Sequence, residues 1–488
     1  MSEGACPVAR RFLALARRSP EAAALLGAAG ETIATRGRLA GEALDLAAAV
    51  RRHVGPNPVA VLSLSNSVEL VRAFLAARLV GAVVAFVDAA APADEVMRGA
   101  AAVGAALALT APGRAPGDDV VGERGGVCLT RLGCAPVAVP AAAAALKMTS
   151  GSTGGPRAIV VSARALAADT VQIMRTMDVR AGDVTLAAIP MTHSYGIGSC
   201  LLPLLLAGTP LVLPSSPLPA ALATTLAEAG VTHFPAVPAM IRTLATLAQL
   251  PPFPRLRVCL TAGAPLAPHD AAAFHAATGR KVHVFYGSSE CGGITYDRSD
   301  APIHAEGAVG TALDRVAVEV VDDTGQPLPA GRSGRIRVRS LAVALAALPA
   351  HEDPRTLTAG CFLTSDIGAL DESGRLTLTG RASEVLNVAG KKVHPDEVRL
   401  VLESLPGVRR AAVTGLPDPH RGELVAAVIA VEPAAGLTVR SVLAACRERL
   451  APHKVPRRLV LVDELPLSDR GKVRRDAVLA LLAGRPPS

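Results

Sequence analysis

The sequence predicts an α/β protein with a large N-terminal domain of helix-covered β-sheets, a small β-barrel-like module and a small α+β C-terminal domain. Three observations predict this fold class. The chain has 488 residues, which is more than one hydrophobic core usually supports. Short apolar runs alternate with segments of helical spacing as far as Gly310. After Gly310 the pattern changes to alternating, half-exposed strands.

The N-terminal part is predicted to form parallel sheets covered by helices. Residues 59–62 and 83–87 are short apolar runs typical of buried strands, and residues 68–79 between them have the spacing of a helix. The alternation recurs where runs 210–213 and 231–234 flank an Ala- and Leu-rich helical segment. This β-α-β order is typical of a parallel sheet with helices on its faces.

The C-terminal third differs in character. Residues 316–321 and 334–339 alternate between apolar and polar side chains and are joined by Gly and Pro turns, which predicts the β-barrel-like module. We place a domain boundary at residues 380–381. Residues 1–380 then form the N-terminal domain, and residues 381–488 form a C-terminal domain with two βα-like units and a basic tail.

Composition argues against several classes of protein. The net charge is +8, and no dense Lys/Arg run is interleaved with aromatic residues, so nucleic acid is not a predicted partner. The eight cysteines are scattered without a C-x-x-C pair, which predicts reduced thiols and a cytoplasmic location. No signal peptide is predicted. Residues 184–227 carry no Asp, Glu, Lys or Arg, but repeated prolines and glycines favour a buried core over a membrane span.

A run rich in glycine and hydroxyl side chains at residues 149–157 is the most informative motif. Its candidate ligand-binding residues are Thr149, Ser150, Gly151, Ser152, Thr153, Gly154 and Arg157. Such a segment can wrap backbone N–H and hydroxyl donors around a polyphosphate, because glycine permits close approach of the backbone. The order is not that of a Walker A loop. An ordinary Ser/Gly surface loop is the alternative interpretation.

Five further segments follow this run in a fixed order. They are residues 190–196, which contain a P-x-x-H pattern, residues 262–266, 286–290 and 362–366, and a C-terminal set at 380–381, 387–390 and 466–472. Each could arise by chance, but their collinear order resembles the adenylate-forming (AMP-binding) superfamily. This superfamily contains acyl- and aryl-CoA synthetases, luciferases and peptide-synthetase adenylation domains.

The resemblance implies a site for ATP and Mg²⁺. The run 149–157 would hold the β- and γ-phosphates, and Glu290 would bind Mg²⁺, a hard ion that prefers carboxylate and phosphate oxygens. Asp366 would accept hydrogen bonds from the ribose hydroxyls, and Arg381 would reach the ribose or a phosphate. The remaining nucleotide-binding residues that the resemblance implies are Gly263, Ala264, Pro265, Tyr286, Gly287 and Ser289.

The resemblance also implies an acyl pocket and a mobile C-terminal domain. The pocket residues would be His193, Tyr195, Phe234, Phe285 and Gly287. Lys472 would bridge the substrate carboxylate and the α-phosphate, so that Lys472, Glu290 and His193 are the candidate catalytic residues. Ser383 would act as the hinge, and Gly390 would let a pantetheine arm pass close to the backbone.

The sequence departs from the family pattern at three positions. The phosphate loop ends in Arg157, where the family commonly has Lys, and a guanidinium is a planar fork and not a point charge. Ser365 replaces the glycine of the T-G-D motif, and Ser383 stands where Asp or Lys is common at the hinge. None of these changes removes a principal charged group.

The implied reaction is ATP-dependent activation of a small carboxylic acid to an acyl-adenylate, with release of pyrophosphate and transfer to the thiol of coenzyme A. Residues 194–235 contain no Asp that could meet an α-amino group, which favours an acid without one. A freestanding ligase that loads the phosphopantetheine of an acyl carrier protein is the first alternative, since no carrier-protein segment is recognised after the C-terminal domain. A degenerate protein that binds a nucleotide or acyl-adenylate without turnover is the alternative from another class.

Overall fold

The computed structural model describes residues 7–150, 156–351, 353–381, 386–388, 391–393, 395–418, 422–450, 452–467 and 473–484. The chain divides into two compact units. The first unit comprises Met1–Val318 and Arg337–Leu363, and the second comprises Glu319–Ile336 and Thr364–Ser488.

With the exception of Ser194–Gly196, the helices of the first unit begin where the sequence supplies capping side chains or proline. They are α1 (Pro7–Arg18), α2 (Arg36–Arg51), α3 (Val68–Leu79), α4 (Ala93–Val103), α5 (Ala163–Thr176), α6 (Ser194–Gly196), α7 (Leu202–Ala207), α8 (Pro219–Glu228), α9 (Pro238–Ala245) and α10 (Pro268–Thr278). The hydroxyls of Thr35, Ser67 and Ser162 accept hydrogen bonds from the first turns of α2, α3 and α5. A π-helical segment, Ile197–Leu201, joins α6 to α7.

The strands as far as Leu370 belong to the first unit or cross from one unit to the other. They are β1 (Ala23–Leu26), β2 (Thr32–Thr35), β3 (Val59–Ser63), β4 (Val83–Phe86), β5 (Leu107–Thr110), β6 (Val120–Arg124), β7 (Val127–Arg131), β8 (Ala143–Ser150), β9 (Pro156–Ser162), β10 (Thr185–Leu186), β11 (Leu211–Val212), β12 (His233–Ala236), β13 (Val258–Thr261), β14 (Val282–Ser288), β15 (Gly292–Tyr296), β16 (Ala308–Ala312), β17 (Ala317–Val321), β18 (Gly334–Arg339), β19 (Ala346–Leu348), β20 (Leu357–Thr358) and β21 (Cys361–Leu370). The division between the units falls within β17, β18 and β21.

Two sheets organise the first unit. One has the order β19-β9-β8-β4-β3-β5-β7-β6, with β8, β4, β3 and β5 parallel and β8 and β9 forming an antiparallel hairpin. The other runs β16-β15-β14-β13-β12-β10-β11-β1-β2 within this unit and is parallel from β14 to β1. The predicted β-α-β unit is therefore confirmed as β3, α3 and β4.

Apolar side chains fill the space between these sheets and their helices. Phe74 of α3 and Phe86 of β4 are buried, and their rings stack with centroids 5.7 Å apart. A second cluster packs Phe234 and Phe274 against the other sheet. The uncharged segment 184–227 contributes fully buried side chains such as Leu201 to these clusters. Within the described part of the chain, no helix has the length and apolar character needed to cross a membrane.

The second unit contains a smaller sheet with helices on both faces. Its further elements are β22 (Arg375–Arg381), β23 (Leu386–Val388), β24 (Lys391–Val393), α11 (Pro395–Glu403), β25 (Val408–Asp418), β26 (Gly422–Val431), α12 (Val439–Arg449), β27 (Arg458–Val462) and α13 (Arg475–Leu482). Alternate residues of β26 point to opposite faces: Ala427 packs in a cluster with residues of α11 and α12, and Val428 packs with residues of α13. The predicted α/β class, with a large N-terminal and a smaller C-terminal part, is confirmed.

A buried charged cluster lies at the start of β12. Arg257 Nη2 and the backbone N–H of Arg180 each donate to Asp183 Oδ2 at 2.6 Å. His233 lies beside them, with Nδ1 2.9 Å from the hydroxyl of Thr232, and its Nε2 is buried without a hydrogen-bond partner among the described residues. Burial lowers the pKa of His233 from 6.5 to about 4, against the opposing effect of the Asp183 charge.

The lowered pKa of His233 predicts a stability that falls in mild acid. The neutral imidazole contributes fully above pH 6.5, and about 3 kcal/mol of stability is lost as the pH falls towards 4, because the unfolded chain binds the proton first. Denaturant unfolding at several pH values should show that the free energy of unfolding depends less steeply on pH in His233→Gln than in the parent chain. The matched control His269→Gln, at an exposed position, should keep the parental slope. Equal slopes in all three proteins would contradict the prediction.

Candidate active site

The β8–β9 hairpin carries the ends of the predicted phosphate loop. Thr149 pairs with Arg157 across the two strands, and the Thr149 hydroxyl donates to the Arg157 carbonyl at 3.3 Å. The next pair is Ser150 and Pro156. The predicted residues Gly151, Ser152, Thr153 and Gly154 lie outside the described residues. The hairpin therefore fixes where the loop leaves and re-enters the sheet.

Arg157, the cation that closes the loop, contacts an imidazole that the sequence analysis did not predict. Its Nη1 lies 3.4 Å from Nδ1 of His351, a residue that follows the neighbouring strand β19. Burial lowers the pKa of His351, the Arg157 charge lowers it further, and the Glu290 charge raises it. A neutral His351 can accept the Arg157 hydrogen bond. The Nε atom of Arg157 is buried without a partner among the described residues.

Glu290 lies in the turn between β14 and β15. Its N–H donates to the Ser288 hydroxyl at 3.2 Å, and its carbonyl accepts from Ala344 N–H at 2.7 Å. The carboxylate has no hydrogen bond or ion pair with the described residues. Burial raises the pKa of the adjacent Cys291 thiol to about 12, so this cysteine is not a thiolate at neutral pH. The turn is held by its backbone, and the carboxylate stays available.

The segment around His193 touches the Glu290 turn directly. The hydroxyls of Ser194 and Ser289 are 2.8 Å apart. His193 Nε2 lies 3.2 Å from a carboxylate oxygen of Asp88, just beyond β4. Asn66, just beyond β3, donates to the carbonyls of residues 187 and 189 and accepts from the N–H of residue 191, each at 2.8 Å.

Asp88 and Asn66 were missed by the sequence analysis. Both follow the carboxyl ends of adjacent parallel strands, where ligands of open α/β sheets bind. A polar residue within a few positions of the ends of the predicted strands 59–62 and 83–87 was therefore a usable signal.

The predicted acyl-pocket residues differ in their accessibility. The Tyr195 hydroxyl donates to the Leu260 carbonyl at 3.3 Å, and its ring centroid is 5.9 Å from that of Phe285. Phe234 is fully buried in the core. Gly287 is exposed, and a Cβ there would lie 2.5 Å from the Gly292 carbonyl oxygen, so the hairpin itself requires glycine. Lining of a pocket by these residues stays a prediction.

Three of the predicted nucleotide-binding residues form an exposed turn after β13. Gly263 has a φ of +87°, in the left-handed region that favours glycine, and Ala264 and Pro265 follow it at the surface. Tyr286 lies near the end of the neighbouring parallel strand β14 and is half-buried. The turn and this ring thus lie at the same edge of the sheet.

In the second unit, Asp366, the predicted ribose-binding carboxylate, pairs with Arg381, which is also predicted to bind the nucleotide. Asp366 and Arg381 are partners in the register of β21 and β22, and Arg381 Nε donates to Asp366 Oδ1 at 2.9 Å. The Asp366 N–H also donates to the Thr364 hydroxyl at 3.1 Å. Lys472, Ser383 and Gly390 lie outside the described residues.

The order of these elements matches a known family. A model of the AMP-binding enzyme family matches residues 12–346. The chain belongs to the AMP-binding enzyme family. A model of the AMP-binding enzyme C-terminal domain also matches residues 397–472. The resemblance to the adenylate-forming superfamily of acyl- and aryl-CoA ligases is confirmed.

Curated members of the AMP-binding enzyme family share about 30% identity with this chain. A salicylyl-CoA synthase / salicylate adenylyltransferase from Streptomyces sp is 31% identical over 70% of this chain and 63% of its own length, which is less than two thirds of that relative. A feruloyl-CoA synthase from Amycolatopsis sp is 29% identical over 68% of each chain. The 4-coumarate–CoA ligase 5 of Oryza sativa subsp. japonica is 28% identical over 97% of this chain and 94% of its own.

Solved structures of AMP-binding enzymes have the same fold. ATP-bound MatB from Rhodopseudomonas palustris is 25% identical and superposes with a TM-score of 0.81, over 96% of this chain and 97% of its own. The amide bond synthetase McbA from Marinactinospora thermotolerans is 26% identical, with a TM-score of 0.80 over 96% and 98%.

The residues of the candidate site are compatible with a magnesium nucleotide. Within the described ranges, no group of three or more His, Cys, Asp or Glu side chains could hold a metal ion by itself. Glu290 supplies a single carboxylate without a partner there, and Mg²⁺ is usually held by one or two carboxylates together with substrate phosphates. Arg157 adds a cation with a buried, unpartnered donor. Glu290 would therefore hold the metal and Arg157 would bind the phosphates, if a magnesium nucleotide occupies this site.

Proposed function

We propose that this chain activates a carboxylic acid with ATP and transfers the acyl group to the thiol of coenzyme A. One observation carries the proposal: Arg157 and the Glu290 turn contact residues at the two ends of one strand, β19. Ala344 N–H, just before β19, donates to the Glu290 carbonyl at 2.7 Å, and Nδ1 of His351, just after β19, lies 3.4 Å from Arg157 Nη1. A guanidinium and a carboxylate that has no hydrogen bond or ion pair with the described residues, carried by two motif-bearing hairpins, suit a polyphosphate and its Mg²⁺.

The first half-reaction joins two anions, so catalysis consists mainly of positioning and charge neutralisation. A carboxylate oxygen of the acid forms a bond to the α-phosphorus, and the bond from that phosphorus to the bridging oxygen breaks, releasing pyrophosphate. Arg157 would bind the departing phosphates. Glu290 would hold the Mg²⁺, which supplies Lewis-acid polarisation of phosphate oxygens when bound. Lys472 would neutralise the α-phosphate and the carboxylate together.

In the second half-reaction a thiol displaces AMP from the acyl-adenylate. The thiol sulfur forms a bond to the acyl carbon, the acyl–oxygen bond breaks, AMP leaves and the thiol proton is released to solvent. We propose that the chain from residue 381 onward rotates about Ser383 between the half-reactions, so that Lys472 serves the first and Gly390 the second. A rotation of this kind lets one pocket present two sets of groups in turn.

Aromatic carboxylic acids are the substrate class that the relatives support. Three curated relatives act, by name, on salicylate, ferulate or 4-coumarate. We propose that the Tyr195 and Phe285 rings, whose centroids are 5.9 Å apart, form an aromatic wall of the acyl pocket. The absence of Asp from residues 194–235 favours an acid without an α-amino group.

An acid-dependent ATP–pyrophosphate exchange screen tests the proposal. Aromatic, short, medium and long-chain carboxylic acids are supplied singly, and an aromatic acid should give the fastest exchange. Exchange that is absent with every acid, while ATP still binds, would support a degenerate binding protein and overturn the proposal.

The acceptor is tested separately with the active acid. Free coenzyme A, a phosphopantetheinylated carrier protein and a primary amine compete, and the thioester of coenzyme A should be the main product. The amine is included because the amide bond synthetase McbA has the same fold. Faster loading of the carrier protein or amide formation would overturn the choice of coenzyme A.

Arg157 is expected to set the affinity for ATP and not the choice of acid. Arg157→Ala should raise the KM for ATP about tenfold by removing a phosphate contact of roughly 1.5 kcal/mol, whereas Arg157→Lys should bind ATP at least as well as the parent. Exchange kinetics with two different acids provide the measurement. Arg164→Ala, on the first turn of α5, is the control. A change in acid preference with no effect on the KM for ATP would contradict the phosphate role.

A further inference from the structure

Two buried charges of opposite sign lie beneath the Glu290 turn. Lys147 of β8 and Asp169 of α5 are each only 4% exposed. Burying a charge is costly unless partners compensate for the lost hydration, so such a pair needs a reason. Neither residue belongs to the motifs that predicted the site.

Asp169 holds the chain just after Glu290. Its Oδ1 accepts a hydrogen bond from the Gly293 N–H at 2.9 Å. Gly292 has a φ of +70°, and a Cβ at that position would lie 2.3 Å from the same oxygen. The backbone at the start of β15 therefore approaches the carboxylate as closely as only glycine allows.

Lys147 reaches the chain just before Glu290. Its ammonium nitrogen points to the Ser289 carbonyl at 3.4 Å. Burial raises the pKa of Asp169, while the Lys147 charge and the Gly293 N–H lower it, so the two charges act on each other. Lys147 lies two residues before Thr149, where the phosphate loop begins.

We propose that Lys147 and Asp169 are positioning residues that fix the Glu290 turn relative to the phosphate loop. The two side chains contact the turn on both sides of Glu290, and they belong to β8 and α5, the elements on either side of the β9 strand that receives the loop. The inference rests on the proposed function, because it assumes that Glu290 holds the Mg²⁺ of the bound nucleotide. Neither residue touches substrate; both act through the placement of the Glu290 carboxylate.

The test compares Asp169→Asn, Lys147→Met and the double variant in the full chain. Each single variant should raise the Mg²⁺ concentration for half-maximal pyrophosphate exchange about tenfold, with the KM for the acid changed less than twofold. Asp169→Asn keeps the size and an acceptor but leaves the buried Lys147 charge uncompensated. The double variant removes both charges, so its effect should be smaller than the product of the two single effects.

A purely structural role would give a different result. Asp270→Asn is the matched control, because Asp270 is a buried aspartate of the same unit that bonds to Arg242 at 3.1 Å. If Asp169→Asn lowers the melting temperature as Asp270→Asn does and leaves the Mg²⁺ requirement unchanged, the positioning role is wrong. If Lys147→Met does not fold, the positioning role is tested with Asp169→Asn and the double variant alone.

Calorimetric binding of ATP at several Mg²⁺ concentrations separates this proposal from the proposed function. If the parent chain shows no pyrophosphate exchange with any of the acids supplied, the proposed function is refuted. The shift in Mg²⁺-dependent ATP affinity between parent and Asp169→Asn would still support the positioning role, and its absence would overturn it.

Discussion

Replacing Glu290 by glutamine is expected to slow acid-dependent ATP–pyrophosphate exchange by about two to three orders of magnitude at a fixed Mg²⁺ concentration. Glutamine keeps the size of the side chain but loses the charge that holds a hard cation. The turn should be unaffected, because its contacts to Ser288 and Ala344 are made by the backbone of residue 290. Initial exchange rates across a Mg²⁺ titration provide the measurement.

The control for this variant is Glu306→Gln, an exposed glutamate in the loop before β16. It removes the same charge from the same unit and should exchange at the parental rate. Excess Mg²⁺ should restore part of the Glu290→Gln activity. A parental rate and an unchanged Mg²⁺ requirement in Glu290→Gln would contradict the metal-binding role.

The Lys472→Ala variant is expected to lose adenylate formation by about two to three orders of magnitude while ATP binding stays close to that of the parent. The proposed contact forms only when the carboxylate and the α-phosphate come together, so its loss affects kcat more than the KM for ATP. Exchange kinetics measure the first half-reaction. Conversion of a chemically prepared acyl-adenylate to the thioester measures the second and should persist.

Arg474→Ala provides the control for Lys472→Ala. Arg474 lies two residues away, is partly exposed and bonds to Asp476 at 2.8 Å, so its loss removes a nearby positive charge without touching the proposed contact. If both variants lose the same modest factor, the effect is one of general charge and the assignment of Lys472 is wrong. Loss of both half-reactions in Lys472→Ala would also contradict it.

The fold of the N-terminal part was predictable where hydrophobic periodicity is strict. Residues 68–79 form α3 with the expected bounds, because an apolar helix between two apolar strands leaves few alternatives. The fold class follows from such units. The register of β8 with β9 was not predictable, because it depends on pairing geometry and not on the composition of either strand.

The residues of the candidate site could be named from motifs, whereas their supporting contacts could not. Glu290 and the ends of the phosphate loop could be named from the chain order of the segments. His193 and Asp88 are 105 residues apart, and Arg157 and His351 are 194 apart. No local pattern relates side chains over such separations, since folding alone brings them together. The contact between Asp169 and the Glu290 turn could not be predicted for the same reason, because Asp169 lies within an ordinary amphipathic helix.

The β14–β15 hairpin gives the protein an unusual optical property. The chain contains three tyrosines and no tryptophan. Tyr286 lies on β14, Tyr296 lies on β15 and stacks on His283 with ring centroids 5.1 Å apart, and Tyr195 packs against Phe285 of the same hairpin. The near-ultraviolet fluorescence of the whole chain therefore originates at this hairpin. If the nucleotide binds beside Glu290 as proposed, its binding should change this tyrosine emission without any added label.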